Sequence, residues 1–391
     1  MAIKEKITTK GNRLHWMDNL RTIIILLVVL YHVGGVYEAA GMWASFWIVD
    51  DPDTITWVGI VGIMFDIIVM PTIFFISGYL APASLKNKTG GEFIKGKIKR
   101  LIVPWVIAVF TVIPLYKIIF LYSRGLPQEH WSTYFHLSQG NISSQNWLWF
   151  LPVLFTFNIL YLLISKANIR LPKISLKWAV LGTVLIGIVS SYFIGGVLGF
   201  RSWTHSPLID FENERVLAYF MSFLLGALCF RKNVFAELPK SKTLYTVANS
   251  VAWLPVTGHI FARLWPFFYP NPAEFPITPL YRLLWHLSFY LSALCMAYVL
   301  IESFWRYLNK TGKIWGELNR NSYGVYIIHV IIIGIFGTLL LNTNLPALAK
   351  YPLLIVSTYV GSNLVVSVYR SLVQAMKSSR RTISSLTINI F

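Results

Sequence analysis

Ten apolar stretches, each long enough to cross a bilayer, leave this chain few ways to fold. They run roughly over 19–39, 58–81, 101–122, 147–165, 177–199, 215–231, 243–264, 281–302, 321–341 and 351–373. A spanning helix needs about 20 apolar residues. Inside a bilayer only helices and closed barrels satisfy the backbone. No ten-residue segment alternates with period two as a barrel strand does. The expectation is an all-α membrane protein, a polytopic bundle of about ten transmembrane helices. Trp, Tyr, Gly and Pro at the ends of the stretches fit interfacial positions. Only 13% of the residues are charged, against about 25% in soluble domains. That excludes an ordinary soluble enzyme and a disordered chain. Cys229 and Cys295 both lie in apolar runs and offer neither metal-ligand spacing nor a disulfide framework.

The formal charge of +18 is read as a topology signal rather than as a nucleic-acid-binding face. With the N-terminus placed in the cytoplasm, 26 of the 34 basic residues fall in the segments 4–13, 86–100, 166–177, 231–242, 306–320 and 370–381. Glu38, Asp50, Asp51, Asp53, Asp210, Glu212 and Glu214 fall on the other side. Both termini are then cytoplasmic. Residues 1–18 form a tail, 19–373 the transmembrane domain and 374–391 a second tail. The first stretch is read as a retained span, because its apolar run is long for a signal peptide and contains Arg21 and His32. No internal repeat supports an inverted-repeat transporter.

Ionisable residues inside a membrane point to function. In the first span, Arg21 and His32 are eleven residues apart. At 100° and 1.5 Å per residue they share one face, about 16 Å apart along the axis. Asp18, three residues before Arg21, is placed to pair with it. Asp66 in the second span has a depth matching that of His32 and could fix its tautomer. The inner end of that span, Phe74-Phe75-Ile-Ser77-Gly78-Tyr79-Leu80, carries a small pair suited to close helix packing. Lys95, Lys97, Lys99 and Arg100 follow and would line a basic mouth able to hold phosphate. In the ninth span Ser322, Tyr326 and His329 fall on one stripe.

The order of these motifs resembles the acyltransferase 3 family. It comprises Arg21 with ten residues to His32, Phe-Phe-x-Ser-Gly-x-Leu at 74–80, Arg100-x-x-x-Pro104, Trp147-Leu-Trp149-Phe-Leu, and Ser322-Tyr-Gly-x-Tyr326-x-x-His329. The chain looks closer to members built like the glucan-modifying protein C than to those carrying a fused esterase-like domain. The resemblance spans roughly 14–373. It implies an acyl group taken from cytoplasmic acyl-CoA and placed on a hydroxyl of an envelope carbohydrate or related acceptor. Acyl-CoA would be a substrate, with no permanently bound cofactor, and the setting a bacterial inner membrane. The family's arginine and histidine match Arg21 and His32, and its cytoplasmic arginine matches Arg100. Lys97 stands where many members have a further arginine, which weakens bidentate phosphate recognition there. The ninth-span histidine matches His329.

The residues read alone agree. Transfer to a hydroxyl needs a base, and neutral imidazole suits that role. Arg21, Lys97, Lys99, Arg100 and Arg320 offer fixed cations for a donor's phosphates. Tyr326, Ser77 or His329 could donate to an oxyanion. His32 either deprotonates the acceptor or carries the acyl group covalently. Trp149 enters the fourth span, and Arg201, Trp203 and His205 with Asp210, Glu212 and Glu214 could line an acceptor site. The competing reading is a transporter or flippase for a lipid-linked or anionic solute, using Asp66 and His32 for proton coupling. A third is a non-catalytic scaffold for an envelope-assembly enzyme.

Overall fold

Backbone polar groups with no water to bond must bond one another, and this chain satisfies them almost entirely as helix. The structure, a computed structural model, describes residues 14–39, 46–135, 145–167, 174–236 and 241–388. The basic residues expected at 4–13, Arg170, Lys173 and Lys240 lie outside the described residues. The helices are α1 (His15–Tyr37), α2 (Thr56–Leu85), α3 (Gly90–Lys97), α4 (Val103–Ser123), α5 (Phe150–Lys166) and α6 (Leu176–Leu198). They continue as α7 (Val216–Arg231), α8 (Thr243–Val251), α9 (Trp253–Leu264), α10 (Pro279–Tyr307), α11 (Lys313–Leu341) and α12 (Ala347–Ile388). A π turn, Ile98–Ile102, joins α3 to α4. A short antiparallel pair, β1 (Trp203–Thr204) with β2 (Phe211–Glu212), closes the loop between α6 and α7.

Among the described residues eight helical stretches are long and apolar enough to cross a membrane: α1, α2, α3–α4, α5 with its preceding turn, α6, α10, α11 and α12. The protein is an all-α polytopic membrane protein. The expected span at 215–231 is a shorter apolar helix, α7. The expected span at 243–264 is broken into α8 and α9. Pro255 explains the break, because it has no N–H for the Val251 carbonyl and its ring crowds that turn. α11 begins eight residues before the expected span and α12 runs past its end. Hydropathy marks the apolar part of a helix, and these helices continue into polar sequence.

Capping explains the turn before α3. Thr89 Oγ1 accepts from the Glu92 N–H at 3.2 Å, and the Glu92 carboxylate accepts from the Thr89 N–H at 2.8 Å. This reciprocal box holds the start of the basic segment.

Two features position the interior. The first is the crossing of α2 and α7, where a Cβ on Gly78 would lie 1.8 Å from the Phe223 carbonyl oxygen and one on Gly226 2.1 Å from that of Phe75. The backbones touch, as small residues permit in membrane helices. The second is the connection 46–55, expected as an ordinary outer loop. Instead Trp47, Ile48 and Val49 are buried, with Ile48 against Gly334 and Val49 against Gly337 of α11. Asp51 anchors this segment through Lys350 at 3.0 Å, and both side chains are buried. Asp53 accepts from the Ala347 N–H at the start of α12, where an anion suits the helix dipole.

Gly78→Ala and Gly226→Ala should each destabilise the bundle by about 3 kcal/mol or more, the upper part of the overpacking range. Gly182→Ala and Gly258→Ala, whose added Cβ would meet nothing within 4 Å, should not destabilise. Thermal unfolding of the four variants in detergent checks this; a tolerated alanine at Gly78 would contradict the crossing.

Candidate active site

The seam between α1 and α11 brings the two intramembrane histidines together. His32 Nδ1 lies 2.8 Å from His329 Nε2. His329 Nδ1 lies 2.8 Å from the Tyr326 carbonyl oxygen and 3.2 Å from that of Val325. Carbonyls only accept, so Nδ1 of a neutral His329 carries its proton and its Nε2 is the acceptor. His32 Nδ1 then donates, and the basic lone pair of His32 belongs to Nε2. The tautomers are assigned from the hydrogen bonds. Trp47 stacks on the His32 ring, with centroids 5.2 Å apart and planes 17° apart.

The three residues expected on one stripe of α11 each meet a different partner. Ser322 Oγ accepts from Arg21 Nε at 3.3 Å. Tyr326 donates its hydroxyl to the Trp147 carbonyl, and Trp147 Nε1 donates to the Ile327 carbonyl at 3.1 Å. These two bonds bolt the entry of α5 onto α11. The Tyr326 hydroxyl proton is thus already committed, which argues against the expected oxyanion role. His329 meets His32.

Arg21 is held as the i, i+3 spacing predicts, with Nη2 3.3 Å from Asp18 Oδ1. Its Nη2 also donates to the Asn319 carbonyl at 3.2 Å. An interhelical polar knot fixes this end of α1: Thr22 Oγ1 donates to Asn319 Oδ1 at 2.5 Å, Asn319 Nδ2 to Asn19 Oδ1 at 2.9 Å, and Asn19 Nδ2 to the Leu308 and Lys310 carbonyls at 2.8 and 2.9 Å. The Arg21 side chain remains 33% exposed, so it can be reached from the basic end.

The Arg100-x-x-x-Pro104 spacing has a local physical meaning. Pro104 has no N–H to offer the Arg100 carbonyl four residues back. The Tyr323 hydroxyl donates to that oxygen at 2.6 Å. Consecutive residues of α11, Ser322 and Tyr323, therefore hold the two arginines that the motifs single out. Tyr323 was not foreseen; the missing proline N–H was the signal for it. Lys99 and Arg100 are exposed, and Lys97 is half-buried with its ammonium 5.1 Å from the Phe93 ring centre. Arg320 pairs with Glu317, which also binds Arg370 at 2.8 Å. It lines a separate hollow of about 510 Å³ with His15 and Lys313.

Asp66 is not the partner of the His32 Nδ1. Both of its oxygens accept from Arg215 Nη1, at 2.9 and 3.0 Å, and Arg263 Nη1 is 3.8 Å away. Glu212 adds to the cluster, 3.4 Å from Arg215 Nε. The physical reason is charge: two guanidinium groups compensate a buried carboxylate better than a neutral imidazole does. Charge counting along the chain gives no hint that Arg215 and Arg263 meet Asp66, because they lie far from it in sequence.

A cavity of about 830 Å³ runs from His32 past Asp66 to the loop between α6 and α7. Ile25, Val28, His32 and Tyr326 line it deep in the bundle, with Asp66 and Trp149 farther along. Arg201, Trp203, His205, Asp210 and Glu212 line it from the loop between α6 and α7. Ile25, Val28 and His32 continue the helical stripe that begins at Arg21. Trp149 meets Trp203 edge to face at 5.7 Å, and Trp203 stacks on His205 at 6.2 Å. Ser77 is not among the cavity-lining residues; it sits beside the Gly78 crossing. In the loop, burial raises the Asp210 carboxyl above its ordinary range, against the Ser206 N–H and His205. Burial likewise raises Glu214.

A family model described as an acyltransferase domain, that of acyltransferase 3, matches residues 14–367. The chain belongs to the acyltransferase 3 family. No curated protein and no solved structure matches it. The match covers nearly the whole chain, from the start of α1 into α12. The protein is therefore a membrane acyltransferase, and membership favours group transfer over the transport reading.

Arg215→Gln leaves the largely enclosed Asp66 without the guanidinium nitrogen that both of its oxygens bind and should destabilise the protein by about 3–5 kcal/mol. The double variant Asp66→Asn/Arg215→Gln should recover part of that loss. Thermal unfolding in detergent measures both; equal losses would contradict the pairing.

Proposed function

We propose that the protein moves an acyl group from cytoplasmic acyl-CoA to a hydroxyl of an envelope carbohydrate, in a bacterial inner membrane. The observation that carries this reading is His32, hydrogen-bonded to His329 and lining a cavity whose other end is lined by the loop between α6 and α7. In this reading the basic end, with Arg21, Lys97, Lys99 and Arg100, faces the cytoplasm, and residues 19–373 act as one transmembrane catalytic domain.

The donor's phosphates would meet the exposed cations around Arg100, and its long pantetheine arm would thread past Arg21 toward His32. Trp149 and Trp203 would hold a sugar face. His32 Nε2 takes the proton of the acceptor hydroxyl as its oxygen attacks the thioester carbonyl. The carbon–sulfur bond breaks, and the departing CoA thiolate takes the proton from the imidazolium. The products are an ester and CoA. His329 is a positioning residue: it keeps the His32 proton on Nδ1 and so keeps Nε2 basic. Because the arm spans the stripe, no covalent acyl carrier is required. The acyl chain, acetyl, succinyl or longer, is set by the space beside His32.

His32→Ala should lower acceptor-dependent CoA release about 10²–10⁴-fold, the usual range for a general base. His329→Ala should lower it less. Without acceptor, no burst of CoA should appear; a stoichiometric burst would establish an acyl-histidine instead. A His32→Ala protein that still acylates the acceptor at the native rate overturns the reading.

Tyr323→Phe removes the donor that holds the Arg100 turn. It should raise the KM for acyl-CoA about threefold to tenfold, the cost of one hydrogen bond, with kcat little changed. Steady-state CoA release at varied donor concentration measures this. An unchanged KM would separate Arg100 from donor binding.

A further inference from the structure

A guanidinium is an expensive group to bury, and its five N–H donors need acceptors. Arg263, in the last turn of α9, has a side chain only 8% exposed. Its Nη1 is buried and makes no hydrogen bond. The nearest carboxylate, Asp66, is 3.8 Å away and already takes two hydrogen bonds from Arg215. What Arg263 does have is the Trp285 ring, 5.1 Å from its guanidinium carbon. The guanidinium of Arg201 reaches the same indole, at 5.5 Å. Two like charges thus share one aromatic ring, and both line the large cavity.

The backbone holds Arg201 there at a cost. Its φ is +57°, in the left-handed region that non-glycine residues avoid. Its N–H donates to the buried Glu214 carboxylate at 2.9 Å, which keeps the turn. Three carboxylates that line the cavity are engaged elsewhere: Asp66 and Glu212 with Arg215, and Asp210 with the Ser206 N–H at 3.0 Å and with His205 at 3.8 Å. The bare structural role for Arg263 is to help neutralise Asp66. That role explains its charge and leaves its buried Nη1 without a hydrogen bond.

We propose that Arg201 and Arg263 form an anion-binding subsite, so that the acceptor is a carbohydrate bearing a carboxylate or a phosphate. This deepens the acyl-transfer reading and rests on it for the word acceptor. Both arginines belong to elements at the loop end of the cavity, away from the basic segment at 86–100. The anion they bind is therefore assigned to the acceptor rather than to the donor or its acyl group. Planar guanidinium forks suit carboxylate and phosphate oxygens alike. The neutral sugar ring would sit on the Trp149–Trp203 pair.

The test is calorimetric titration of the full-length protein in lipid nanodiscs with glucose, glucuronate and glucose 1-phosphate. The two anionic sugars should each bind at least tenfold more tightly than glucose. Arg201→Gln, on an exposed loop position, and Arg263→Gln should each erase most of that preference. Equal affinity for the three sugars, or a preference that survives both substitutions, overturns the subsite. A second arm compares CoA release from acetyl-CoA and succinyl-CoA by the native protein and Arg201→Gln. The ratio between donors should not change. A changed donor ratio with unaltered sugar binding would move the arginines to the acyl group and overturn the acceptor assignment. Anionic preference without CoA release from any donor would support the subsite and count against the transfer reading.

Discussion

The hydrogen bond between His32 and His329 is the contact on which the remaining geometry depends. It joins two helices nearly three hundred residues apart in sequence, and it works only if each ring keeps one tautomer. The proton is fixed by the Tyr326 carbonyl, which belongs to the same turn of α11 as His329. That turn is in turn held by the Tyr326–Trp147 and Trp147–Ile327 bonds to the start of α5. A buried polar chain of this kind is stable only when every member is satisfied. Shifting one helix relative to another would leave an imidazole or an indole unpaired in a low-dielectric interior. Helix register and basicity at His32 Nε2 are thus set by the same bonds.

The charged groups divide by depth. Near the basic end, Arg21 and Arg100 are both held by α11, through Ser322, Tyr323 and the Asn319 carbonyl. Toward the loop end, Asp66, Glu212, Arg215 and Arg263 compensate one another. Between them lie the imidazole pair and the apolar stripe of Ile25 and Val28. Cations at one end, an imidazole in a largely apolar middle and a polar, aromatic far end suit the transfer proposed above. Desolvation of the middle strengthens the hydrogen bonds there and makes any unpaired charge costly.

Much of this was legible in the sequence. Helical periodicity alone placed Arg21 and His32 on one face, paired Arg21 with Asp18 and aligned Ser322, Tyr326 and His329. Small residues at Gly78 marked a close crossing. The rest depends on contacts between distant segments, which periodicity within one helix does not encode. Arg215 claims Asp66 across 149 residues. The 46–55 connection has the carboxylates of a solvated loop, yet its apolar residues fill the space over Gly334 and Gly337. The role of Tyr323 follows from a proline on another helix, and can be read only once the two helices are known to touch.

The central claim is that the histidine pair joins a donor side to an acceptor side through one bundle. Sealed proteoliposomes with the protein in one orientation test it, with radiolabelled acetyl-CoA on the side of the basic end and acceptor glycan on the other. The account predicts label on the glycan with no acyl-CoA crossing, and none when donor and acceptor positions are exchanged. Label appearing only when both substrates share one side would contradict it.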